Sequence, residues 1–261
     1  MTVTSRDNAA VKRVRRLLSD AHARRETGLF VLEGARLCAE VSTADVTVVE
    51  AFISPEAESR YPKQVKAVRE KAETTYEISN ALAAQIGDTQ SPQGLFCVCR
   101  RLPDKLSAAV LPKGGRYLAL ESVRDPGNMG TILRTAEAFG LDGVLLSEDC
   151  VALDNPKVLR GSMGGALRLP TGHIENMEEG IHLMRLQGFA VYACVADSEA
   201  TSLTDVALGD DCVCVIGNEA NGLTEETCAA CTGRVTIPMK GRAESLNAAV
   251  AACITMWELQ K

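Results

Sequence analysis

The chain has 261 residues, with 28 lysines and arginines against 34 aspartates and glutamates, a formal net charge of −6. Its 46% hydrophobic and 24% charged residues exclude a disordered chain, and no apolar run approaches the roughly 20 residues that cross a bilayer. Met1 to Asp7 contain no apolar signal segment, and an acidic chain is not at first sight a nucleic-acid binder.

Asn8 precedes Val11, Val14, Leu17 and Leu18 at helical spacing, so the first predicted element is an amphipathic helix. Its other face carries Lys12, Arg13, Arg15 and Arg16. Leu29–Leu32 reads as a strand, Ala35–Val41 as a helix, Val46–Ile53 as a strand and Pro62–Ala72 as a helix. Thr74–Ile78 is a strand and Ala81–Ile86 a short helix; the loop Gly87 to Gly94 leads into strand Leu95–Arg100. A turn-rich linker follows from Leu102 to Gly115. A second α/β series then begins with strand Tyr117–Leu120, helix Met129–Phe139 and strand Gly143–Leu146. A helix near Pro156–Gly161, a strand near Leu167–Pro170 and a helix across Met177–Leu186 continue it. Strands Ala190–Val195, Cys212–Ile216 and Arg234–Ile237 precede a terminal helix, Ala248–Gln260. Strand and helix alternate throughout, so two α/β domains are expected, residues 1–105 and 106–261.

Charge is unevenly spread between them. Residues 1–105 hold 16 basic and 14 acidic side chains, whereas residues 106–261 hold 12 and 20. The basic excess sits in the first 36 residues, which include Arg24 and Arg25. The ten cysteines lie mostly in apolar runs and read as buried free thiols of a reducing cytoplasm. Cys228 and Cys231 have C-x-x-C spacing, but no second pair completes a zinc site, so no metal is expected.

Three segments at strand ends carry the chemistry. The first runs from Glu121 through Asp125-Pro126-Gly127-Asn128 into a helix, with Asn128 placed to cap it and Arg134 in its second turn. A cation near a helix start is mildly unfavourable and hints at an anionic ligand, though a solvated arginine has the same spacing. The second is Gly217-Asn218-Glu219-Ala220-Asn221-Gly222 after a buried strand, where glycines let the backbone approach a ligand. The third runs from Ile237 and Met239 to Ser245-Leu246-Asn247 and enters a helix of small residues. None matches G-x-G-x-x-G or the P-loop, which disfavours a nucleotide-dependent oxidoreductase.

In this order the segments N-x-G-x-x-x-R (Asn128, Gly130, Arg134), G-N-E-x-x-G-L (Gly217 to Leu223) and I-P-M-x-G-x-x-x-S-L-N (Ile237 to Asn247) resemble the SpoU, or TrmH, family of RNA ribose 2′-O-methyltransferases. Ser5 to Asn8, Phe30 to Gly34 and Gln90 to Gly94 resemble the substrate-binding domain of its ribosomal-RNA branch.

The resemblance implies a SPOUT-class α/β catalytic domain with a deep trefoil knot and a small L30e-like α/β domain before it. It implies S-adenosyl-L-methionine as cofactor, a homodimer, and a cytoplasmic enzyme that methylates a ribose 2′-OH of 23S ribosomal RNA. A transfer-RNA substrate, or a non-catalytic RNA-binding protein of the same fold, is the alternative. By motif position the cofactor lies among Gly217, Asn218, Glu219, Gly222, Ile237, Met239, Ser245, Leu246 and Asn247. Arg134, Asn128, Glu219, Ser245 and Asn247 are the candidate catalytic residues; Lys12, Arg13, Arg15, Arg16, Arg24, Arg25 and Arg124 are the candidate RNA contacts. The family assigns activation of the hydroxyl to the arginine that Arg134 matches. A guanidinium is a poor base, so orientation of a phosphate and stabilisation of the developing alkoxide is the alternative role.

Overall fold

A computed structural model of the chain describes residues 1–101 and 103–261, which divide into two packed units. Leu102, the start of the expected linker, lies outside the described residues. The first unit comprises Met1–Pro103 with Ala152–Arg168, the second Asp104–Val151 with Leu169–Lys261.

The first unit begins with β1 (Thr2–Val3), α1 (Ala9–Ser19), α2 (Ala21–Thr27), β2 (Leu29–Glu33) and α3 (Ala35–Ala39). It continues through β3 (Val48–Ile53), α4 (Pro55–Arg60), α5 (Pro62–Lys71), β4 (Ala72–Ile78), α6 (Asn80–Ile86) and β5 (Leu95–Arg100). Its sheet is mixed, in the order β1-β4-β3-β5-β2, with β5 antiparallel to both neighbours. The Asn8 side chain accepts the Ala10 N–H at 2.9 Å and starts α1. Val11, Val14 and Leu17 then fall on one buried stripe and join a core with Phe52, Phe96 and Val98. Helices α2 and α4, of seven and six residues, are too short for their periodicity to stand out in the sequence.

The second unit opens with β6 (Arg116–Leu120), α7 (Pro126–Ala138) and β7 (Gly143–Ser147). The chain then belongs to the first unit for α8 (Pro156–Gly161) and α9 (Gly165–Arg168). The second unit resumes as β8 (Thr171–Ile174), α10 (Met177–Leu186), β9 (Ala190–Cys194), β10 (Thr201–Ser202), β11 (Cys212–Ile216), α11 (Glu225–Ala230), β12 (Gly233–Thr236) and α12 (Ala248–Leu259). Seven parallel strands take the order β10-β12-β9-β11-β6-β7-β8. The run Cys-Val-Cys-Val-Ile of β11 is buried along its whole length, as a central parallel strand requires.

Several expectations change here. The strand expected near Leu167–Pro170 is helix α9 followed by β8, which starts just after Pro170, a residue with no N–H for a ladder. The Ala152–Arg168 excursion departs from a single cut at residue 105. Its Asp154 accepts Arg24 Nε at 3.1 Å and Arg101 Nε at 3.0 Å, Arg160 donates to Asp88 at 2.9 Å, and Arg168 pairs with Glu40. Such pairs join residues 53 to 130 positions apart and leave no local pattern. With this division the first unit holds 18 basic and 14 acidic side chains, net +4, and the second 10 and 20, net −10.

Arg24 is a further correction. It is 3% exposed, bound to Asp154 and to the Leu17 carbonyl at 2.8 Å, so no phosphate can reach it. All ten cysteines are free thiols. Burial above all pushes Cys231 up to about 12 and lifts Cys38 and Cys99 well above the ordinary thiol range, so these are protonated at neutral pH. Among the described residues no helix is long and apolar enough to cross a membrane.

Candidate active site

Parallel strands place all their carboxyl ends on one edge of a sheet, and ligands bind where loops diverge from that edge. In the second unit the ends are in register: Leu120 of β6 faces Ile216 of β11, Ile216 faces Cys194 of β9, and Cys194 faces Val235 of β12. The three motif loops therefore leave one edge of the sheet, from β6, its neighbour β11 and, beyond β9, β12, although more than a hundred residues separate the first from the third.

Side chains lock these loops together. Asn247 Nδ2 donates to Asn128 Oδ1 at 3.0 Å, and Asn128 Nδ2 donates to Glu219 Oε1 at 2.7 Å. One residue from each motif thus forms a single relay that aims the Glu219 carboxylate. Asn247 is fixed at its other end, because Oδ1 accepts the Ala249 and Val250 N–H groups and caps α12. Asn218 Nδ2 donates to the Ser122 carbonyl at 2.7 Å, while its Oδ1 accepts the Ala220 N–H at 2.8 Å. Gly217 is required: a Cβ there would overlap the main chain of Gly222 and Leu223.

The sequence reading missed four supports of this arrangement. Asp125, not Asn128, caps α7: its Oδ1 accepts the Asn128 N–H at 2.8 Å, and Pro126 takes the first helical position. The Asp-Pro pair was the available signal. Arg134 is consequently in the third turn, where the field of the helix end has faded, so the expected electrostatic misfit is absent. Glu121, 8% exposed at the end of β6, accepts the Thr224 N–H at 3.0 Å and the hydroxyls of Thr224 and Thr227 at 3.1 and 2.7 Å, which anchors the far side of the second motif. Ser122 holds a left-handed φ of 56° and donates to Asp149 at 2.6 Å. Partial burial works to raise the Asp149 carboxyl, but hydrogen bonds from Ser122, Arg124 and Ser147 outweigh it and hold the group down at about 2.

A cavity of about 410 Å³ opens among these loops. Of the residues assigned to the cofactor from the motifs, Gly217, Asn218, Glu219, Gly222, Ile237, Met239, Ser245 and Leu246 line it, whereas Asn247 caps the adjoining helix. Among the described residues the charged ones lining it are Glu219 and Glu244, with no lysine or arginine. Apolar walls and two carboxylates suit a ligand with a flat apolar moiety and positive charge. Arg134 stands exposed on α7, the helix that carries Asn128, and has no partner among the described residues.

The candidate RNA contacts behave unequally. Arg13 is tied to Glu50, Lys12 to Asp7 at 3.1 Å, and Arg16 to Glu26 at 3.2 Å. Arg124 is paired with Asp149 at 2.7 Å but remains mostly exposed. Arg15 and Arg25 are exposed without a partner among the described residues.

The SpoU rRNA Methylase family matches residues 115–257, and the MRM3-like substrate binding domain matches residues 8–97. The 23S rRNA (guanosine(2553)-2′-O)-methyltransferase RlmP of Bacillus subtilis is 29% identical over 91% of the chain and 90% of its own length. The 23S rRNA (guanosine-2′-O-)-methyltransferase RlmB of Xanthomonas axonopodis is 37% identical over 59% of the chain and 63% of its length. The AdoMet-bound rRNA methyltransferase from Sinorhizobium meliloti superposes with a TM-score of 0.87 at 27% identity, covering 99% of this chain and 97% of that one.

Proposed function

This chain belongs to the SpoU rRNA Methylase family, and we propose that it transfers a methyl group from S-adenosyl-L-methionine to a ribose 2′-OH of 23S ribosomal RNA. The observation that carries this is the Asn247–Asn128–Glu219 relay at the mouth of an acidic, apolar-walled cavity. Alignment with RlmP over nine-tenths of both chains supports the substrate class. The reading extends to a trefoil knot among the motif loops, an L30e-like first unit that binds RNA, and a cytoplasmic homodimer. For the dimer, α12 offers Val250 and Trp257, seven residues apart on one face and each about half exposed.

When bound, the cofactor supplies an electrophilic methyl on a sulfonium that is already a good leaving group, so the chain need not provide a metal. Ile237, Met239 and Leu246 form the apolar wall for its base. Glu219 and Glu244 balance its positive charge. The main chain from Gly217 to Gly222, closed by paired hydrogen bonds between Asn218 and Gly222 at 3.0 Å, offers polar groups at its edge. The nucleophile is a weak one and must lose its proton, to the neighbouring phosphate or to water, as the new bond forms. Arg134 acts as a fixed cation that orients the neighbouring phosphate and stabilises charge developing on the ribose oxygen. Asn128 and Asn247 are positioning residues for Glu219, and Ser245 contributes a hydroxyl on the cavity wall.

Incubation of the purified protein with labelled cofactor and unmodified 23S rRNA transcript tests this. Label should enter the RNA and map to one 2′-O-methyl position by mass spectrometry. Cofactor binding without transfer to any RNA would leave a non-catalytic binder of this fold.

A further inference from the structure

The second unit has two acidic side chains for every basic one, so most of its cations are engaged. Lys113, Arg116, Arg124, Arg185, Arg234 and Lys261 each meet a carboxylate or a carbonyl. Among the described residues, its remaining four Lys and Arg side chains have no such partner: Lys105, Arg134, Lys240 and Arg242. Three of these four belong to the first and third motif segments.

Lys240 and Arg242 lie in the loop between β12 and α12, whose residues divide sharply in their surroundings. Met239 lines the cavity; Lys240, Gly241, Arg242 and Ala243 leave its wall and are exposed; Glu244, Ser245 and Leu246 line it again. The loop is exposed from Pro238 to Ser245, but it gives a thioether and a carboxylate to the cavity wall and keeps two cations off it. The cations take no part in the cavity wall, so they do not serve the ligand held there. In so acidic a unit, two adjacent unpaired cations at the cavity edge mark a local reversal of charge that suits an anion arriving from outside.

We propose that Lys240 and Arg242 form a phosphate-binding edge at the cavity mouth, holding the backbone of the substrate RNA strand beside the target ribose. This rests on the methyltransferase reading above. Arginine grips two phosphate oxygens through its planar fork and lysine acts as a compact point charge, so the pair fits successive phosphates of a single strand. Contacts of this kind position a strand without reading its bases.

The test is the full chain carrying K240A/R242A, assayed with labelled cofactor and unmodified 23S rRNA transcript between 50 and 200 mM salt, with cofactor affinity measured by calorimetry. Wild-type protein that transfers no methyl group overturns the functional reading itself. If wild type is active, the variant should show a raised KM for RNA with the loss falling on KM more than on kcat. Its salt slope should fall by about 2, so that its deficit shrinks roughly tenfold across that range. Cofactor affinity should stay at the wild-type value, and K240R/R242K should recover the slope. A variant with the wild-type KM and slope, or one whose cofactor affinity falls in step with its activity, overturns the proposal.

Discussion

The two units treat their cations in opposite ways. The first has a basic excess yet spends much of it on internal bonds: Arg24 and Arg101 on Asp154, Arg160 on Asp88 and Glu33, Arg168 on Glu40, Arg13 on Glu50. The second has a net charge of −10 yet, among the described residues, leaves Arg134, Lys240 and Arg242 of its first and third motif segments unpaired. The difference teaches that net charge does not measure what a surface offers an anion. A guanidinium whose donors are filled by a buried carboxylate is a cross-link, whereas a lone one in an acidic unit remains available.

Substitutions in both units can break or sharpen this contrast. Arg134→Ala should lower methyl transfer by about 10³-fold, with cofactor binding intact by calorimetry; near-normal turnover would refute its role. In the first unit, Asp154→Ala should cost about 3–5 kcal/mol, because it leaves the buried Arg24 uncompensated. Urea unfolding measures that, and an unshifted midpoint would mean that the ionic stitch contributes nothing. Replacing the four exposed cations Lys12, Arg15, Arg16 and Arg25 by alanine should reduce the salt slope of RNA binding by about 3, while Arg13→Ala should act mainly on stability through Glu50. An RNA titration that shows the reverse order would exchange their roles.

The smallest effect is on pH dependence. The folded-state pKa of Asp149 is depressed to about 2 from the ordinary 3.8, so its stabilisation is present above the unfolded value and lost as pH falls toward 2. Its side chain is 44% exposed, and with allowance for solvent screening the contribution is about 1 kcal/mol. Asp149→Asn should therefore flatten the acid limb of the stability curve between pH 4 and 2. An unchanged limb would show that the Ser122 and Arg124 bonds carry no linkage.

Most of the site was legible because motif residues announce themselves by type and spacing. Gly217, Asn218 and Glu219 after a continuous apolar strand, and Ser245 with Asn247 before a run of small residues, identify loops whatever the fold around them. The cap at Asp125 escaped notice only because Asn128 was an equally good capping residue three positions on. The role of Glu121 could not be read at all, since its partners Thr224 and Thr227 are about a hundred residues away. Arg24 was misjudged for the same reason: within its own helix it looks like any other basic residue, and only Asp154 distinguishes it.

The sequence by itself determined the alternation of strands and helices, the three chemical segments and the location of the basic excess. These depend on periodicity and residue type, which act over a few positions. Tertiary structure alone decided which cations remain unpaired, that Ala152–Arg168 belongs with the first unit, and that Asn247, Asn128 and Glu219 form one relay. Those outcomes rest on hydrogen bonds and ion pairs between residues far apart in sequence, which only the fold brings together.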